Sequence, residues 1–304
     1  MVDLPRHLPV LLDPILERAR GAGRVVDATL GHGGHAEAFL AAGASVLGID
    51  RDPDAIATAR ARLGDSQITY LQRPYASDEV IQAVTAFRPD FVLLDLGVSS
   101  RQLDQADRGF TFREGAPLDM RMGPDAPTAA EWLAGVEDEE LVMVLRNYAD
   151  EPKARRLARE IVRRRATAPF QISDDLVNAI RAALGPRSGP GDFARIFQAV
   201  RIAVNDELEG LAVALPAFRD ALRPDGTLAV ISYHSGEDRL VKGAFRAWAE
   251  GCTCPPGLPQ CICGTVPLGV SEPRKAIIPL AAEVAGNPRA RSAKLRFFRV
   301  QHAG

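Results

Sequence analysis

The sequence predicts an α/β fold, a parallel sheet interrupted by a helical insert, and three observations carry that prediction. Apolar runs and helix-forming runs alternate four times between residues 24 and 95. From about residue 103 to about residue 200, helical patterns and loops follow one another without a convincing strand. Strand-like runs then return at 227–232, 276–280 and 295–300.

Taken in order, residues 7–12 and a helix over 13–19 precede the first strand, as a packing element or a lid. Val25 and Val26 open a short apolar run that reads as a buried parallel strand, and Gly31, Gly33 and Gly34 follow where it hands over to a helix. Such a turn brings backbone close to a ligand. Glycine suits it because a side chain would block that approach and positive φ costs glycine little. Residues 36–40 read as the first turns of a helix, whose free N–H groups face the bound molecule. The run 45–49 is the next strand and ends at Asp50; a helix over 54–63 stops at Gly64. A third strand over 68–71, a helix over 78–87 and a fourth strand over 91–94 ending at Asp95 complete the alternation. In such sheets ligands sit at the carboxyl ends of the strands, where Asp27, Asp50 and Asp95 all fall.

The insert reads as helices. Thr128 to Glu131, after Pro127, is a capping-box signature, and helices follow over 137–148 and 152–166. Ser173 caps a helix that runs to residue 184 and stops at Gly185-Pro186, and 192–222 is helical with a kink or break at Pro216. The expected division is a core of residues 1–103 and 205–304 around an insert of residues 104–204.

With 304 residues, 46% of them hydrophobic, the chain can bury a real core, so disorder is not the default. A net charge of −2 gives no global pull toward nucleic acid, and RNA binding would need a local basic surface. No apolar run reaches about eighteen residues and the N-terminus lacks signal-peptide flanks, which predicts a cytoplasmic protein without membrane contact.

Two cofactor classes fit the glycine turn. Gly31, Gly33 and Ala36 satisfy G-x-G-x-x-A, and Asp50 lies nineteen positions after Gly31 as a ribose-binding acid should, which suits a nicotinamide dinucleotide. Asp27 at the strand end argues the other way. Its carboxylate would repel a pyrophosphate but attract the ammonium and sulfonium of S-adenosylmethionine, so the methyl donor is favoured. Asp95 stands where a carboxylate can accept hydrogen bonds from a donor amine and hold it against an activated methyl group. His234, Ser235 and Asp238 do not make a hydrolase triad, because adjacent residues of one segment point apart.

On a helix over 152–166, Arg155, Arg156, Arg159 and Arg163 share one arc, opposite Ala154, Leu157, Ala158, Ile161 and Val162. That arc suits phosphates, with binding that weakens steeply in salt. Arg195, Arg201 and Asn205 are a second substrate-edge candidate. Cys252, Cys254, Cys261 and Cys263 lie within twelve residues, spaced more tightly than ordinary zinc pairs, and free thiols in a compact loop are preferred to a metal.

Several motifs, in order and nearly end to end, resemble the ribosomal RNA small-subunit methyltransferase H family. They are HLPVLL at 7–12, DATLGHGGH at 27–35, GIDRD at 48–52, LDLGVSSRQL at 94–103, RGF at 108–110, PLDMRM at 117–122, SYHS at 232–235 and NPRARS at 287–292. The resemblance implies a Rossmann-like class I methyltransferase core and transfer of a methyl group from S-adenosyl-L-methionine to the N4 of a decoding-centre cytidine in 16S rRNA, with the small ribosomal subunit as the expected partner and free rRNA left open. Position by position, it puts cofactor contacts on Gly33, Gly34, His35, Asp50, Tyr75, Asp95 and Gln102. Asp95 is the catalytic candidate, and Phe110, Phe112 and Tyr233 are the aromatics that would stack on a flipped or single-stranded cytosine. Of these, Phe110 and Tyr233, with His234, Arg155 and Arg159, make up the substrate-binding set. The oligomeric state is left open, a homodimer included.

Overall fold

The computed structural model describes residues 9–251, 254 and 266–301. Strands Arg24–Asp27 (β1), Ser45–Asp50 (β2), Ile68–Gln72 (β3), Phe91–Asp95 (β4), Thr227–Ser232 (β5), Gly269–Ser271 (β6) and Lys294–Val300 (β7) form one seven-stranded sheet. Its order is β3-β2-β1-β4-β5-β7-β6. The first five strands pair in parallel, and β7 runs antiparallel to both β5 and β6. Chain order reverses at β1, which lies between β2 and β4. At such a switch point the loops leaving neighbouring strands diverge and open a crevice at the strands' carboxyl ends.

The apolar runs form strands because both faces of the sheet are covered. Val26, Leu47, Val92, Leu94, Leu228 and Val230 pack into one buried cluster, and Val25, Val46, Phe91, Leu93, Ala229 and Ile231 into another. Adjacent residues of each strand thus alternate between clusters, as the two-residue period of a strand demands. The chain divides into two compact units, one formed by the chain up to Gly97 and from Gly210 onward, the other by Val98–Glu209.

The expected strand over 276–280 is not there. Only Ile277 bridges Leu295, and the edge strand is Gly269–Ser271 instead. Pro279 has no N–H to give a ladder, and Pro273 stands just beyond the three residues that do pair.

The second unit holds helices Ser100–Asp104, Ala129–Gly135, Asp138–Asn147, Ala154–Arg165, Ser173–Leu184 and Pro190–Val204 around its own core, which includes Leu141, Leu157, Ile161, Ile180 and Ile196. The Thr128 capping box forms in full: Thr128 Oγ1 accepts the Glu131 N–H at 3.1 Å and Glu131 Oε2 accepts the Thr128 N–H at 2.8 Å. Ser173 does not cap. It is the first helical residue and its hydroxyl donates to the Arg113 carbonyl, while Asp175 Oδ2 accepts the N–H groups of Gln171 and Ile172. Pro216 lies inside helix Glu207–Ala221 rather than ending it, where buried Leu211, Leu215 and Phe218 hold the turns on either side. The break comes earlier, at Asn205 and Asp206, where Asp206 takes φ +50°. Among the described residues no helix is long and apolar enough to cross a membrane.

Candidate active site

The ends of β2, β1 and β4 stand side by side and carry Asp50, Asp27 and Asp95. Asp27 is buried, with 1% of its surface exposed. Burial pushes its carboxyl up to about 7, helped by the charge of Asp95 and, less, of Asp50; the N–H groups of Thr29 and Ala36 work against the rise. One of its oxygens, Oδ1, has no hydrogen-bond partner. Asp50 accepts the Gly31 N–H on Oδ2 at 2.8 Å and the Asp52 N–H on Oδ1 at 2.9 Å, and burial raises it to about 6.

Asp95 is placed by its backbone and its side chain. Its N–H donates to Thr29 Oγ1 at 2.6 Å, and its Oδ1 accepts the Tyr233 hydroxyl at 2.8 Å. Oδ2 lies 3.8 Å from His35 Nδ1. Burial pushes Asp95 up to about 7, although a quarter of its side chain (24%) stays open. His35 Nε2 sits 3.0 Å from the Val10 carbonyl, which only accepts, so the ring proton is on Nε2 and Nδ1 keeps its lone pair. Burial holds His35 down at about 4 and therefore neutral.

The glycine turn serves the protein's own packing more than expected. A Cβ on Gly33, which has φ +75°, would stand 2.7 Å from Leu63 Cδ1, and one on Gly34 would stand 2.8 Å from Pro9 Cγ. Only at Gly31 would a Cβ meet open space, with the nearest atom 4.0 Å away.

The family model for MraW methylases matches residues 5–301 of this chain. The chain belongs to the MraW methylase family. It is 58% identical over 298 residues to the "Ribosomal RNA small subunit methyltransferase H" of Gemmatimonas aurantiaca, covering 96% of this chain and 95% of that one. To the protein of the same name from Myxococcus xanthus it is 47% identical over 297 residues, covering 96% of each. A solved rRNA methylase from Streptococcus thermophilus superposes with a TM-score of 0.41 at 13% identity over 99% of both chains. The family found is the one that the motifs resemble.

A methylase needs a methyl donor, and the site tests which kind it takes. Three acids pushed upward by burial, one with an orphaned buried oxygen, form an excess of negative charge that a cation relieves and a pyrophosphate would aggravate. The residues fit a sulfonium donor and do not fit a dinucleotide.

The other predicted residues fall as follows. In the first unit, Tyr75 packs beside Gly210, where an added Cβ would stand 3.7 Å from its ring. His234 caps helix Ser235–Ala249: its Nδ1 accepts the N–H groups of Gly236 and Glu237. Asp238 is held by Lys294 and Arg296 at 3.0 and 2.8 Å, so the triad is excluded by its partners as well as by direction. In the second unit, buried Gln102 accepts the Ser99 N–H on Oε1, and its own N–H donates to Ser99 Oγ. Phe110 is partly buried against that unit's core with the Arg108 guanidinium 5.9 Å from its ring, and Phe112, 36% exposed, lies edge-on to Phe193 and Phe197.

The basic arc is uneven. Arg163 is bound twice by Glu160, which also holds Arg164, whereas Arg155 stands 3.7 Å from exposed Glu139 and the Arg159 Nε donates to the Arg155 carbonyl. Arg195, Arg201 and Asn205, the second substrate-edge candidate, are engaged within the protein. Arg195 bonds Glu151 and the Ala149 carbonyl, Arg201 is bidentate on Glu207, and buried Asn205 joins the Met120 carbonyl to the Met122 N–H. Of the four cysteines Cys254 is described and half-buried, while Cys252, Cys261 and Cys263 lie outside the described residues, and the metal question with them.

Sequence reading missed Glu237, 2% exposed, whose Oε2 accepts the N–H groups of Tyr233 and His234. The signal was a capping box with an unusual first member, His234 followed three residues later by an acid.

Proposed function

We propose that this chain transfers a methyl group from S-adenosyl-L-methionine to the exocyclic N4 amine of a decoding-centre cytidine in 16S rRNA, in the cytoplasm. Membership of a methylase family and relatives named for the small-subunit RNA support the coarser part, methylation of that RNA. The single observation that carries the chemistry is the trio of acids at neighbouring strand tips, buried Asp27 between half-buried Asp50 and Asp95, with Asp27 Oδ1 unpartnered. When bound, the donor supplies a methyl group already activated by its sulfonium leaving group.

The rest is work for the chain's own side chains. Asp50 accepts from the ribose hydroxyls, and the turn at Gly33, Gly34 and His35 admits the methionine part, with Tyr75 and Gln102 as further donor contacts implied by the resemblance. Asp95 accepts a hydrogen bond from the cytosine amine, whose lone pair is delocalised into the ring and must be drawn toward tetrahedral geometry. Positioning of that kind supplies several kcal/mol. Phe110, Tyr233 and His234 are assigned to the base, and Arg155 and Arg159 to phosphates.

The test offers labelled donor to free 16S rRNA and to small subunits, followed by digestion to nucleosides. Label in N4-methylcytidine, lost in Asp95→Ala, is the expected result. Label in any other nucleoside, or full activity in Asp95→Ala, overturns the assignment.

A further inference from the structure

Asp95 has two oxygens in unlike surroundings. Oδ1 is taken by the Tyr233 hydroxyl at 2.8 Å, while Oδ2 faces the Nδ1 lone pair of His35 at 3.8 Å, which cannot donate to it. The Tyr233 ring packs over the turn that leaves β4, since a Cβ on Gly97 would lie 3.6 Å from its Cδ2. Its backbone is fixed in turn: Glu237 Oε2 accepts the Tyr233 N–H at 2.8 Å and the His234 N–H at 3.2 Å. The other oxygen, Oε1, lies 3.2 Å from His234 Nε2 without the alignment of a hydrogen bond, and His234 Nδ1 accepts from the helix start. A nearly fully buried glutamate thus commits Oε2 to the backbone of the two residues that deliver the phenol to Asp95.

We propose that Tyr233 and Glu237 are positioning residues for Asp95: Tyr233 pins Oδ1 so that Oδ2 alone is presented to the reacting amine, and Glu237 fixes the turn that carries Tyr233. This rests on the N4-methyltransferase reading above and deepens it. The nitrogen lone pair forms the new N–C bond, the electrons of the C–S bond leave with sulfur, and the spare proton on nitrogen passes to Asp95 Oδ2 and then to water. Tyr233 stays a donor throughout, because burial and the neighbouring Asp95 hold its hydroxyl well above the usual phenol range.

The two residues act on Asp95 with opposite sign. The Tyr233 hydrogen bond favours its ionised form, and the Glu237 charge disfavours it. The other groups facing this cluster are Asp27 from β1, His35 from helix Gly34–Ala41, and Glu283 from helix Ala281–Gly286, which bears on Tyr233 and accepts the Leu11 N–H. None of them changes in either variant.

The test is the pH dependence of kcat at saturating donor and small-subunit RNA for wild type, Tyr233→Phe and Glu237→Gln, with melting curves for each. Tyr233→Phe should lower kcat about tenfold at neutral pH and move the acid limb to higher pH. Glu237→Gln should move that limb to lower pH. A merely structural role would leave both limbs in place. Limbs that stay put, or move in the same direction, overturn the proposal. If Glu237→Gln does not fold, the isosteric Tyr233→Phe decides alone, and an unmoved or lowered limb overturns it. Nucleoside analysis of the wild-type product is run alongside: a product other than N4-methylcytidine sinks the functional reading, whereas the right product with unmoved limbs sinks only this inference.

Discussion

Asp50 Oδ2 accepts the backbone N–H of Gly31 at 2.8 Å, so the acid that ends β2 and the glycine turn that follows β1 are one rigid unit. Its other oxygen, Oδ1, accepts the Asp52 N–H at 2.9 Å, and the proposed function gives the carboxylate the ribose hydroxyls as well. Asp50→Asn keeps one oxygen for Gly31 but turns its NH2 toward the Asp52 N–H and loses the charge, and should weaken S-adenosylhomocysteine binding by about 2 kcal/mol, roughly thirtyfold, with a lowered Tm from the lost Asp52 bond. Calorimetric titration beside a melting curve separates the two effects.

The buried acids also set how the unliganded chain responds to pH. In the unfolded chain each carboxyl titrates near 3.8, whereas folding raises Asp27 and Asp95 to about 7 and Asp50 to about 6. Between about pH 4 and pH 7 these three acids hold more protons in the folded chain than in the unfolded one, an excess that His35, held down at about 4, offsets in part, and stability falls as pH rises through that window. Melts of the ligand-free chain from pH 4.5 to 8 should show a declining Tm; a Tm that climbs to pH 8 would mean that the acids are not buried together.

Gly109 and Gly115 both take φ +74°, but an added Cβ meets the Pro117 carbonyl oxygen at 2.5 Å and the Asp119 nitrogen at 2.7 Å in the first case and nothing within 4 Å in the second. Gly115→Ala should cost only the left-handed strain, about 1 kcal/mol. Gly109→Ala also forces backbone apart and should cost about 2–4 kcal/mol. The difference in Tm between the two variants reads the steric part directly.

On helix Ala154–Arg165, Arg163 is already neutralised by Glu160, while Arg155 and Arg159 have weak or backbone partners. Arg155→Ala and Arg159→Ala should each lower the salt dependence of RNA binding by about one phosphate contact, and Arg163→Ala by less. Filter binding of small-subunit RNA across a salt series gives the slopes.

What could be read from the sequence follows from how local the determinants are. β1, β2 and β4 are covered on both faces, so they stand out as unbroken apolar runs closed by an acid, and the acids mark the site. The three residues of β6 are too few to show a period. Pro216 is a loud local signal that packing overrides, and the actual break at Asp206 accompanies the bonds of Asn205 to Met120 and Met122, more than eighty positions back. The same non-local bonds explain why Asn205 looks like a polar substrate edge in one dimension, while Arg201 is taken by Glu207 across the break. Glu237 went unread because a histidine stands where a serine or threonine usually caps.

The most direct test compares the affinities of S-adenosylmethionine and S-adenosylhomocysteine by calorimetry at pH 6 and pH 8. The two differ by the positive charge at sulfur, so the ratio should shift toward the sulfonium as Asp27 and its neighbours ionise, and Asp27→Asn should flatten that shift. A ratio that does not change with pH, or that moves toward the uncharged thioether at pH 8, would contradict the account.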